Sequence, residues 1–71
     1  MQIGTIIQDM GEDVQDIGVI IEIGECMFGA PLYHIFWVCP RPEGKDYTTT
    51  LTYTDDEIRY AFECGGFEVV A

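Results

Sequence analysis

Two runs of alternating apolar residues in the first half of the chain predict two β-strands. In the first run, residues 17–23, every second residue is β-branched: Ile17, Val19, Ile21 and Ile23. The second run, residues 32–38, alternates in the same way and carries the single tryptophan, Trp37. Side chains along a strand point alternately to opposite faces. We therefore expect Trp37 and the odd-numbered face of the first run to be largely buried.

Three shorter segments predict further strands. Residues 4–8 are rich in isoleucine, residues 47–53 alternate threonine with tyrosine and leucine, and residues 67–70 end in two valines. Threonine and tyrosine favour an extended chain, so the middle segment predicts a strand with an exposed threonine face. The connections carry the Gly, Pro and acidic residues typical of turns, and they cover residues 9–16, 24–31 and 40–44.

A capping box predicts one short helix before the last strand. Thr54 precedes three acidic residues, and Glu57 stands at the third helical position, where its side chain can cap in return. Ile58 and Phe62 then recur at the spacing of one helix face. The helix is predicted to end at Gly65. Five short strands with one late helix indicate a single domain over residues 1–71, in which barrel closure would hide the strand edges.

The charge balance restricts the class of partner. Thirteen acidic side chains oppose three basic ones, giving a net charge of −10. Binding to DNA, RNA or an anionic membrane requires clustered Lys and Arg, so we expect none of these partners. A protein with a basic surface is the expected partner, and homo-oligomerisation is left open. The candidate contacts are two acidic clusters: Asp9, Glu12, Asp13 and Asp16 in the first predicted loop, and Asp55, Asp56 and Glu57 at the predicted helix start.

The sequence indicates neither catalysis nor a cofactor. Cys26, Cys39 and Cys64 are odd in number, and the first residues have no signal-peptide pattern, so reduced thiols in a cytoplasm are expected. These thiols and His34 are of the right types for zinc, but no Cys-x-x-Cys pair exists, and we expect no metal. A Cys–His nucleophile lacks visible activation, and the acidic loop lacks the pattern of a calcium-binding EF-hand.

The aromatic residues allow two interpretations. They could form a cage for a methylated lysine, as in some SH3-like folds, or they could pack in the core. Core packing is favoured, because a small barrel needs large side chains to bury enough area. The residues concerned are Tyr33, Trp37, Tyr47, Tyr53 and Tyr60.

Several short motifs together resemble one family. They are Gly4-x-Ile-Ile-x-Asp9, the strand of residues 17–23, Tyr33-x-Ile-x-Trp37, Asp56-Glu-Ile58 and the final Glu68-Val-Val70. In this order they resemble short SH3-like barrel proteins of tailed bacteriophages, including those of marine cyanobacteria, most of which lack an assigned function. The resemblance implies a mainly β, SH3-like five-stranded barrel and a phage origin, and it implies no catalytic residues. Residues 59–66 depart from the pattern, because they lengthen a turn into a helix.

These observations predict a non-enzymatic acidic phage protein that acts through protein–protein interaction. A small virion component, on the capsid surface or as a tail accessory, is one form of this prediction. The alternative is an acidic nucleic-acid mimic that inhibits or regulates a host nucleic-acid-binding enzyme, because about ten excess charges on a compact shell can imitate the phosphate spacing of a duplex. The expected location is the host cytoplasm or the assembled virion, without secretion through a signal peptide.

Overall fold

Five antiparallel strands form one sheet, and one short helix precedes the last strand. The computed structural model describes residues 1–11, 16–39 and 47–70. Its elements are β1 (Ile6–Asp9), β2 (Ile17–Glu25), β3 (Pro31–Cys39), β4 (Tyr47–Thr54), α1 (Asp55–Glu63) and β5 (Phe67–Val69). The predicted mainly β fold with a late helix is therefore confirmed.

The sheet has the order β4-β3-β2-β1-β5, so the last strand returns to pair with the first. Helix α1 follows β4 directly and contacts β3, β4 and β5. Within the part of the chain that the structure describes, no backbone pairing joins β4 to β5. The sheet is therefore open among the described residues, and closure into the predicted barrel is not observed.

The prediction for the buried face of β2 is wrong. Ile17, Ile21 and Ile23 are 37%, 47% and 36% exposed, whereas the even-numbered Ile20 is completely buried. The pairing with β3 explains the difference, because Ile20 lies opposite the buried Ile35 and shares its face. Apolar side chains point to both faces of β2, so alternation alone could not identify the buried face.

An irregularity in β2 changes its parity halfway along the strand. Ile20 pairs with Ile35, but the next pair is Glu22 with His34, so one residue is inserted as in a β-bulge. Beyond it, Ile23 faces Tyr33. Residues on the core side are therefore even-numbered before the bulge and odd-numbered after it.

Trp37 stands at the centre of the core, and its predicted burial is confirmed, since only 4% of it is exposed. Its ring lies 5.3 Å from that of Phe67, which also contacts Tyr53 and Phe62 at 5.9 and 6.1 Å. The Trp37 Nε1–H donates a hydrogen bond to the Tyr53 hydroxyl oxygen at 3.0 Å. Aromatic rings of β3, β4, β5 and α1 therefore hold the two edges of the sheet together. Among the described residues, the buried apolar side chains are those of Ile7, Ile20, Tyr33, Ile35, Trp37, Cys39 and Ile58.

The predicted helix start is confirmed in detail. The Thr54 hydroxyl oxygen accepts a hydrogen bond from the Glu57 backbone N–H, and Glu57 Oε1 accepts one from the Thr54 N–H. Such reciprocal capping satisfies donors that would otherwise have no partner within the helix. The helix ends at Glu63, and Gly65 takes a positive φ of 79° just beyond it.

Strands β2 and β3 form a longer hairpin than the sequence predicts. The expected loop of residues 24–31 shrinks to a tight turn, in which the Gly29 N–H donates to the Cys26 carbonyl at 2.9 Å. Gly29 has a φ of 81°, which suits a glycine at the end of such a turn. The turn presents Met27 and Phe28 to solvent, with Phe28 88% exposed. The predicted connection of residues 40–44 lies outside the described residues.

Candidate functional site: an aromatic and acidic groove

An open groove of about 230 Å³ lies at one end of the core face of the sheet. Along the groove, the side chains of β3 are more deeply buried than those of β4. On β3, Ile35 and Cys39 are buried, whereas their β4 partners Leu51 and Tyr47 are 47% and 54% exposed. The groove is lined by Asp9, Asp16, Trp37, Cys39, Tyr47, Thr49, Leu51 and Tyr53.

Two carboxylates close one side of the groove. Asp9 ends β1 and Asp16 immediately precedes β2, and the Asp9 N–H donates to the Asp16 carbonyl at 2.8 Å. That hydrogen bond ties the two ends of the first connection together. Asp9 Oδ1 also accepts a hydrogen bond from the Gly11 N–H at 3.0 Å. Both acids are half-buried, so their charges are less screened than those of surface carboxylates.

The structure thus places half of the first predicted acidic cluster in the groove. Asp9 and Asp16 line it, and the other two members, Glu12 and Asp13, lie outside the described residues. The sequence analysis predicted these acids as candidate partner contacts but did not connect them with the aromatic residues. That connection depends on the pairing of distant strands.

The second predicted acidic cluster lies at the start of α1 and stabilises the helix. Asp55 Oδ2 lies 2.8 Å from Arg59 Nη2 in an i, i+4 ion pair, and Glu57 completes the capping box. Asp56 is exposed in the first turn, where a negative charge is favourable. None of these three side chains lines the groove.

The predicted aromatic set divides in the fold. Trp37, Tyr47 and Tyr53 line the groove. Tyr33 is buried in the core, and Tyr60 is exposed on α1. Tyr33 and Trp37 therefore pack in the core as expected, and Trp37 also lines the groove beside Tyr47 and Tyr53. The cage remains a prediction. Thr49 and Leu51, which sequence reasoning did not single out, share the parity of Tyr47 and Tyr53 on β4, and that parity was the available signal.

The pKa of the Tyr53 hydroxyl reflects the electrostatics of the groove. Burial raises the pKa of its hydroxyl, and the hydrogen bond donated by Trp37 acts in the opposite direction because it favours the phenolate. The negative charges of Asp9 and Glu57, and of Cys39 when ionised, raise the pKa further. Tyr53 therefore experiences carboxylates from the first loop and from the helix start.

We expect Tyr53 to ionise above pH 10.0 in the folded protein. The tyrosinate absorbance of wild type minus that of Tyr53→Phe gives the titration of Tyr53 alone. The folded state favours the neutral hydroxyl of Tyr53. The contribution of this hydroxyl to stability is therefore complete below the unfolded pKa of about 10, and it is lost as pH rises through the folded pKa. Tyr60→Phe removes an exposed tyrosine and serves as control, in which the Tyr53 component must persist. A Tyr53 midpoint below pH 10.0 would contradict the described environment.

The thiols occupy three separate places. Cys26 begins the hairpin turn, Cys39 ends β3 in the wall of the groove, and Cys64 follows α1, where its Sγ lies 3.6 Å from the Ala61 carbonyl. Among the described residues, no three His, Cys, Asp or Glu side chains gather as metal ligands would. In the same part of the chain, no helix is long and apolar enough to cross a lipid bilayer.

Comparison of the chain with protein-family models, with curated proteins and with solved structures found no match. The groove is therefore interpreted from its own chemistry.

Proposed function

We propose that the protein is a non-enzymatic binding module, which takes a lysine or arginine side chain of a partner protein into the groove. The observation that carries this proposal is the convergence of the Tyr47 and Tyr53 rings, beside the buried Trp37, with Asp9 and Asp16. A cation gains energy from an aromatic face and from a charge-assisted hydrogen bond to a carboxylate. The groove offers both within one small volume.

The size of the groove favours a side chain over a whole small molecule. Pockets for drug-sized ligands measure about 300–1,000 Å³ and are enclosed. This groove has about 230 Å³ and is open along β4. The net charge of −10 would attract a basic partner from solution and speed its encounter.

An SH3-like barrel is the finer form of the fold within this proposal. The ring of Tyr53 on β4 lies 5.9 Å from that of Phe67 on β5, so the sheet curls until side chains of its two edge strands touch. This curl supports closure of the sheet by side chains at the Tyr53 end of β4, while Tyr47, Thr49 and Leu51 line the open groove. A role in a phage, for example as a small virion component, follows from the sequence resemblance and belongs to the same proposal.

The experiment follows the fluorescence of the single tryptophan, which lines the groove. The probe is a peptide of alternating Lys and Thr, and the comparison peptide has Gln in place of Lys. We expect only the basic peptide to bind. The double substitution Asp9→Asn and Asp16→Asn should weaken binding by about tenfold or more, because two charge-assisted contacts lose their charge.

The matched control is Asp56→Asn with Glu63→Gln. It removes the same number of charges from exposed positions of α1 and should change affinity much less. Tyr47→Leu, which keeps bulk but removes an aromatic face, should also weaken binding. If the groove variant and the control variant bind equally well, the carboxylates act only as a diffuse charge. The nucleic-acid mimic would then be the better proposal.

A further inference from the structure

Strand β4 has one side that the described part of the chain leaves open. All eight of its residues pair with β3, from Tyr47 opposite Cys39 to Thr54 opposite Leu32. Strand β4 is the last strand of the sheet on that side. In an antiparallel edge strand, the N–H and C=O groups of every second residue point away from the neighbouring strand. About half of the β4 residues therefore direct backbone donors and acceptors outwards, although the Thr54 N–H is already bonded to Glu57 Oε1.

Within its own sequence and register, β4 also lacks devices that commonly protect an edge. Exposed edges usually carry charges, prolines or bulges, or are very short. The sequence Tyr-Thr-Thr-Thr-Leu-Thr-Tyr-Thr has no charge and no proline, and its register with β3 is regular throughout. The opposite edge is different, because β5 has only three residues and carries Glu68 at its centre. Of the two edges of this sheet, β4 is the one suited to pairing.

The open edge borders the groove. Thr49, Leu51 and Tyr53 point from β4 to the groove side, while Thr48, Thr50 and Thr52 are exposed on the other face. A strand added beside β4 would lie about 4.8 Å away, with every second side chain directed to the groove side. The exposed half of Leu51 is the surface that these side chains would cover.

We infer that β4 receives an extended segment of a basic partner as an additional strand, with alternate Lys or Arg side chains entering the groove. This inference rests on the proposed function and specifies how the partner binds. Main-chain hydrogen bonds along the edge would supply affinity, and the groove would select the basic side chains. The second face of the added strand would meet the row of exposed threonines and so favour small polar residues.

Charge identifies the occupant as a partner and not a second copy. Each copy carries a net charge of −10, so two copies repel each other as they approach. A segment with lysine or arginine at every second position is attracted and meets Asp9 and Asp16 in the groove. The chemistry of the site is therefore complementary to a basic strand.

The first test measures hydrogen exchange of the β4 amides in the full chain, with and without an eight-residue peptide of alternating Lys and Thr matched to the length of β4. Apart from the Thr54 amide, which already donates to Glu57 Oε1, we expect every second β4 amide to exchange rapidly in the free protein and to become protected when the peptide binds. The inference would be overturned if these amides were protected in the free protein and the fraction of dimer rose with protein concentration. A second copy would then occupy the edge.

The second test separates backbone pairing from side-chain recognition. Two versions of the peptide carry N-methyl groups, one at every Lys and the other at every Thr, and both keep all charges. Because alternate peptide N–H groups face β4, one version should bind about tenfold or more weakly, and the other should bind almost as the parent does. A peptide with its lysines in one block keeps the charge but loses the alternation, so it should bind more weakly than the parent.

The outcomes distinguish the two proposals. If both methylated versions bind as tightly as the parent, strand addition is wrong, whereas the groove can still bind a basic side chain. If the parent peptide does not bind, or if it binds the Asp9→Asn and Asp16→Asn variant equally well, the proposed function fails and the inference fails with it.

Discussion

Replacing Trp37 by alanine is expected to lower the free energy of unfolding by about 3–5 kcal/mol. The indole is 4% exposed, packs against Phe67 at a ring distance of 5.3 Å and donates a hydrogen bond to Tyr53. The substitution removes the largest side chain of the core and leaves the Tyr53 hydroxyl without its donor. A stable domain has only about 0.05–0.15 kcal/mol per residue, so we expect this variant of a 71-residue chain to be largely unfolded.

Far-ultraviolet circular dichroism during urea unfolding measures this effect without requiring the tryptophan. The matched control is Phe28→Ala, which removes another aromatic ring, from a position that is 88% exposed at the hairpin turn. The control should unfold close to wild type, since surface substitutions usually change stability by less than about 0.5 kcal/mol. Similar unfolding midpoints for the two variants would show that Trp37 contributes no more to stability than the exposed Phe28 does.

The second large effect is expected at Gly18, which lies opposite Trp37 in the sheet. A Cβ placed on Gly18 would be 2.7 Å from Ile35 Cγ2 and 2.8 Å from Trp37 Cε3, well inside van der Waals contact. Both neighbours are buried and packed, so neither can move without disturbing the core. We expect Gly18→Ala to cost about 1–3 kcal/mol through overpacking.

Gly24 provides the control within the same strand. A Cβ there would meet only His34 Nε2, at 3.7 Å, which is an ordinary contact. Gly24→Ala also reduces the freedom of the unfolded chain, so it should be neutral or slightly stabilising. The comparison of the two variants by thermal unfolding tests the pairing of β2 with β3. Equal melting temperatures would mean that Trp37 does not lie over Gly18.

Local signals in the sequence predict much of the fold. The capping box of Thr54 and Glu57 fixes the start of α1, because both partners lie within one turn. The strands were found from runs of β-branched and aromatic residues, and the exposed threonines of β4 follow from its alternation. Each of these features depends on neighbours along the chain.

The errors of prediction arose where residues distant in the sequence determine which side chains are buried. The buried face of β2 depends on which of its two apolar faces meets β3, and the bulge near Ile21 reverses the parity along the strand. The small Gly18 was the available signal, because a glycine between isoleucines can accommodate a large ring from the next strand. The size of Trp37 and the absence of a side chain at Gly18 are complementary, but the sequence does not show that they are paired.

The candidate site was predicted only in parts. Asp9 and Asp16 were predicted as contacts for a partner, and Trp37, Tyr47 and Tyr53 were considered as a cage or as core. Their convergence requires the ends of β1, β2, β3 and β4 to meet at one end of the sheet. Strand order and register determine that meeting, and no local pattern encodes either.

The unequal edges of the sheet determine how far any assembly can grow. A strand that joins β4 finds no equivalent acceptor on the other side, because β5 is only three residues long and carries Glu68. Growth of a sheet into a fibril by edge-to-edge pairing requires two receptive edges on every unit. With a single receptive edge, strands can be added to the sheet on one side only. Within the described residues, β4 can therefore be an uncharged edge strand of eight residues without allowing the sheet to grow from both sides.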